Sequence, residues 1–129
     1  MPINHITQKV NRYKFYRELQ NSKVVMSPFG LGEITLKDFE VFLSGSLLMK
    51  PNMDHMLTWP NFYTKDTYIP FRWDLGDLSE KIEYILKNYE DFIQFAHNGQ
   101  EVYRHYIASD EASREFVIRF SEIINQEML

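Results

Sequence analysis

The chain of 129 residues contains no cysteine. That removes disulfide frameworks and thiolate metal sites, and it agrees with a reducing compartment. Glycine and proline are scarce, five of each, and no Gly/Ser/Pro-rich or low-complexity tract divides the chain. No apolar run approaches the roughly 18 residues that a membrane-crossing helix needs, and the opening MPINHITQKV has no apolar signal core. The expectations are a cytoplasmic chain with no transmembrane segment. Positive charge is in deficit, 14 Lys and Arg against 18 Asp and Glu, for a net charge of −4. A binder of nucleic-acid backbones normally carries a basic stripe, so no nucleic acid partner is expected. His5, His55, His97 and His105 stand at no metal-binding spacing, and no metal is expected.

What is present is an ordinary globular balance, 44% hydrophobic and 25% charged, with aromatics at 16%. Large rings bury much area per residue and help a small core hold together. The length suits one domain over residues 1–129, with 1–11 reading as an arm or edge segment.

Tyr13, Tyr16 and Leu19 predict a helix over Arg12–Asn21. Residues 23–27, Lys-Val-Val-Met-Ser, form an apolar run ended by Pro28 and read as a buried strand. Residues 29–33 make a glycine-containing turn. Thr35-Leu-Lys-Asp38 is a capping box that opens a helix over Leu36–Ser44, stopped by Gly45. A second strand, 46–50, ends at Pro51. Strand, turn, helix and strand in about 30 residues is the order of a βαβ unit. Residues 52–59 are expected to be a long loop with one helical turn, where Asp54 and His55 either form a polar tip or line a ligand cleft. A third strand follows at 67–70. Asp77-Leu-Ser-Glu80 predicts another capped helix, with Leu78, Ile82, Ile85 and Leu86 on its inner face. The next helix carries Phe92, Phe95, Ala96, Gly99, Val102, Tyr103 and Tyr106 on one stripe. A last one, opened by Ser109, sets Ala112, Phe116, Phe120, Ile123 and Ile124 inward. The class is α/β: a single Rossmann-like domain with a small parallel sheet flanked by helices and a helical C-terminal half.

A parallel sheet binds ligands at the carboxyl ends of its strands, beside the N-termini of the helices that follow. Segment 27–33 occupies that place. Gly30 and Gly32 let a ligand approach the backbone, and the helix start offers N–H groups and a positive dipole end. A phosphate or diphosphate fits such a place, with Lys37 adding a charge-assisted contact. Glu40, set among Phe39, Val41, Phe42 and Leu43, is either a solvated position or a bidentate acceptor for two sugar hydroxyls. Glu33 either faces a bound sugar or supports the helix N-terminus.

Ser27-Pro-Phe-Gly-Leu-Gly-Glu33, Asp38-Phe-Glu-Val-Phe-Leu-Ser-Gly45 and Ser46-Leu-Leu-Met-Lys-Pro51 together resemble the donor domain of GT-B glycosyltransferases of the group-1 type. A looser likeness extends to capsule-associated and exostosin-type transferases. The resemblance runs over about residues 12–120, through Asp77-Leu-Ser-Glu-Lys-Ile82 and Asn98-Gly99. It implies donor binding by Ser27, Gly30, Leu31, Gly32, Glu33, Lys37 and Glu40, with Glu40 on the ribose hydroxyls. Catalytic roles fall to Glu33 and Lys37. Many family members have two glutamates eight residues apart. Here Gly32 stands eight before Glu40, and Glu33 comes one place later.

The resemblance further implies a nucleoside-diphosphate sugar as donor and hexosyl transfer to an acceptor hydroxyl. The acceptor side would come from a second α/β domain, in the full-length protein or in a partner chain. Neither metal nor cofactor is implied. The other reading is a non-catalytic nucleotide- or protein-binding module of the same fold.

Overall fold

The computed structural model describes residues 9–127. The arm expected over 1–11 lies mostly outside them, as does His5. Among the described residues the order is α1 (Arg12–Asn21), β1 (Val24–Met26), α2 (Leu36–Ser44), β2 (Leu47–Pro51), β3 (Ile69–Phe71), α3 (Leu78–Lys87), α4 (Tyr89–Ala108) and α5 (Asp110–Glu127). The result is a small Rossmann-like α/β domain with a helical C-terminal half.

The sheet order is β1-β2-β3, all parallel, with Val25 opposite Leu48 and Lys50 opposite Pro70. Every residue of the central β2 is buried, because helices cover both faces of the sheet. Successive side chains point to opposite faces. Val25 and Leu48 therefore join Leu19, Val41 and Phe42 in one core, while Leu47, Met49, Ile69 and Phe71 join Ile85 and Ala96 in another.

Local signals explain the elements. Asn11 caps α1 through Oδ1, which accepts from the Tyr13 N–H at 2.8 Å. The Thr35–Asp38 capping box opens α2, and Gly45, at φ 77°, ends it in the left-handed region that glycine tolerates. Ser109 Oγ accepts from the Ala112 N–H at 3.0 Å and opens α5.

Five expectations need correction. Asp77 forms no side-chain cap bond among the described residues. Its carboxylate instead accepts from the Arg72 N–H at 2.8 Å and pairs with Lys81 at 3.0 Å. Loop 52–59 holds no helix, only an isolated turn closed by the Met56 N–H on the Met53 carbonyl. Leu86 is exposed, since α3 turns only Ile85 fully inward. On α5, Ala112 alone of the expected inner face is buried. Phe116, Phe120, Ile123 and Ile124 are 42–56% exposed, because α5 packs on α4 near its start and nothing described covers the rest. The strands also shift by one or two residues, and β2 takes in Pro51.

Gly99 sits where α4 crosses α2. A Cβ there would stand 2.7 Å from Phe42 Cδ1 and 3.1 Å from the Thr67 carbonyl. Gly99→Ala is expected to cost about 1–3 kcal/mol in denaturant unfolding. Gly32→Ala, whose Cβ meets nothing within 4 Å among the described residues, should leave stability within about 0.5 kcal/mol of the parent.

Candidate functional site

The site is built where the three parallel strands end. Each strand feeds a segment onto that edge: 27–33 after β1, 52–55 after β2 and 72–77 after β3.

Beneath the edge lies a closed polar cluster. Asp38 and Lys50 are fully buried, and Lys50 Nζ stands 3.1 Å from Asp38 Oδ2 and 3.2 Å from Oδ1. A buried pair survives only when its remaining hydrogen-bonding capacity is met. Asp38 accepts from Ser27 Oγ at 2.6 Å, Thr35 Oγ1 at 3.1 Å, the Thr35 N–H at 3.3 Å and Tyr63 Oη at 2.7 Å. Lys50 lies 5.0 Å from the centre of the Phe29 ring, a cation–π contact, and reaches the Ser27 carbonyl at 3.5 Å. That last bond has a backbone cause. The β1–β2 ladder runs from the Leu47 N–H on Lys23 and the Ser27 N–H on Met49. Its next donor would be residue 51, a proline without an N–H, and the lysine ammonium serves the carbonyl left over.

Tyr63 is held in its phenol form. Burial raises its pKa first, and the hydrogen bond to the Asp38 carboxylate raises it further.

Above the cluster the edge is open and aromatic. The Phe29 and Trp73 ring centroids are 4.1 Å apart, edge to face, and His55 stands 5.1 Å from Trp73. Trp73 Nε1 donates to the Asn52 carbonyl at 3.2 Å, yet the residue is 54% exposed. Glu33 Oε1 is 3.6 Å from His55 Nε2. The polar tip at 54–55 thus folds back onto the edge.

The residues singled out in the sequence divide accordingly. Gly30, Leu31 and Gly32 form the exposed crest of the turn. Neither glycine has a positive φ, and a Cβ at Gly30 would meet only Thr35 Cγ2, at 3.7 Å. Lys37 is half-buried in the first turn of α2, with no ion-pair partner among the described residues. Glu33 lies across from His55, away from the cap position that Thr35 takes. Ser27 is not at the rim: it is fully buried, and its hydroxyl is spent on Asp38. Glu40 lies on the α1 flank of α2, where it accepts from Tyr16 Oη at 3.3 Å, with Arg12 stacked over the same tyrosine.

Sequence reasoning missed Lys50, Tyr63 and Trp73. It read Asp38 as a capping residue, when one carboxylate serves both the cap and the buried pair. A charged residue inside the apolar run 46–50 was the signal available for Lys50.

Two hollows lie away from the 27–33 turn. One of 330 Å³ runs between α3 and α4, and one of 390 Å³ lies between Trp59 and α5. No protein-family model matches the chain, and no curated protein matches it.

Lys50→Met leaves Asp38 buried without its counter-charge and is expected to cost about 3–5 kcal/mol in chemical unfolding. Tyr63→Phe should cost about 2 kcal/mol at neutral pH, the loss of a bond to a charged acceptor. A raised folded-state pKa gives stability that is present below the unfolded value, about 10 for tyrosine, and is lost as pH rises beyond it. Melting temperatures of the parent should therefore fall above about pH 10, and more steeply than those of Tyr63→Phe.

Proposed function

We propose that this chain is the nucleotide-sugar donor-binding domain of a GT-B glycosyltransferase of the group-1 type. The observation that supports this most is the placement of the 27–33 turn. It leaves a parallel strand at its carboxyl end, crests in two exposed glycines and leads into the N-terminus of α2. Packing among the described residues gives no reason for glycine at position 32, whereas a ligand resting on the backbone does. In this reading Glu40 takes the ribose hydroxyls, its bond to Tyr16 setting the carboxylate's direction.

The reaction is hexosyl transfer from the nucleoside diphosphate to an acceptor hydroxyl. Its main demand is to stabilise the diphosphate as the glycosidic bond breaks. The α2 N–H groups and Lys37 meet that demand without a metal or cofactor, and Glu33 stands on the sugar side. Ser27 acts from below by holding Asp38 and the base of the turn. A second α/β domain, in the same protein or a partner chain, brings the acceptor. The apolar stripe open along α5 is a surface that such a domain can cover. No described helix is long and apolar enough to cross a membrane, and a cytoplasmic site of action is part of the same proposal.

Thermal shift and backbone amide shifts with a panel of nucleoside-diphosphate sugars test the reading. Binding is expected to move the amides of Gly30, Gly32 and Lys37. Glu40→Ala should weaken it about tenfold or more, the equivalent of one or two hydrogen bonds to a charged acceptor. No response to any donor would sink the proposal.

A further inference from the structure

We infer that Trp73, held by Phe29 and His55, is a stacking platform for the pyranose ring of the donor, with Glu33 and His55 as its hydroxyl-binding pair. The inference rests on the donor-binding reading and adds the place of the sugar.

An exposed tryptophan is usually free to turn, and this one is not. Its N–H is tied to Asn52, the Phe29 ring packs at 4.1 Å and the His55 ring at 5.1 Å, yet more than half of the residue faces solvent. These three contacts come from segments following β1 and β2, so the ring is fixed to the frame of the sheet and loses little entropy when a ligand stacks on it. The imidazole beside it stands 3.6 Å from the Glu33 carboxylate. A rigid aromatic face next to polar groups suits a pyranose, which offers C–H groups on one face and hydroxyls at its edge.

Position separates the sugar from the base. Glu40 lies on the α1 flank of α2, whereas Trp73 follows β3 and its ring meets Phe29 and His55 above the ends of β1 and β2. A donor with its ribose at Glu40 and its diphosphate at the start of α2 carries its sugar toward Trp73. The base then lies on the side of Tyr16 and Arg12.

The test uses Trp59→Phe, which leaves Trp73 as the sole tryptophan, titrated with UDP, GDP, ADP and the glucosyl ester of each. Trp73 emission should change with a glucosyl ester and stay nearly constant with the matching diphosphate. In the parent protein, Trp73→Ala should weaken the ester about fivefold to tenfold and the diphosphate less than twofold, with Trp73→Phe between. Equal weakening of ester and diphosphate would place the base on the ring and overturn the inference. So would unchanged affinity for both, and either result leaves donor binding intact. If none of the six compounds binds, the donor reading itself falls and the platform with it.

Discussion

The buried Asp38–Lys50 pair ties together four separate segments of this small domain. Asp38 opens α2, Lys50 lies in the central strand, Ser27 directly follows β1 and Tyr63 comes from the connection between β2 and β3. One carboxylate therefore sets the start of a helix against the ends of two strands and the loop that covers them. Such an arrangement tolerates little drift, because any displacement leaves a charge buried and unpaired. A buried pair of this kind adds little against a well-packed hydrophobic substitute, and what it fixes here is the relative placing of these four segments.

That geometry is what the carboxyl edge inherits. The turn after β1 is clamped at its base by Ser27 and at its side by Phe29 over the Lys50 ammonium, while its crest of Gly30, Leu31 and Gly32 stays exposed. A ligand-facing loop on a rigid base is the usual division of labour in α/β domains. Asn52 ties the loop after β2 to the segment after β3, through its N–H on the Phe71 carbonyl and its carbonyl on Trp73 Nε1, and His55 stands between Trp73 and Glu33. Donor binding and its extension to the sugar are readings of this one edge.

Much of the fold was legible in residue order. The bounds of α1 and α2 follow from the spacing of Tyr13, Tyr16 and Leu19 and from the Thr35–Asp38 box with Gly45, all of which act within a turn or two of helix. The α4 stripe, with Ala96 and Gly99 buried, follows from the helical period. The α5 stripe has the same period and remains uncovered among the described residues. Periodicity shows that a face is apolar and leaves open whether anything lies against it. Asp77 shows the matching limit for caps: with Arg72 N–H and Lys81 in reach, its carboxylate turns to them.

The candidate site divides in the same way. The sequence by itself determined the turn, its glycines, the capped helix and the apolar run that forms β2, because each is a local preference of a few adjacent residues. Only the tertiary structure decided that Asp38 meets Lys50 and Tyr63, that Ser27 faces inward, that Glu40 turns to Tyr16, and that Trp73 joins His55 and Glu33 at the rim. Those pairings join residues 11 to 25 positions apart, and most of them form where parallel strands bring their carboxyl ends to one edge.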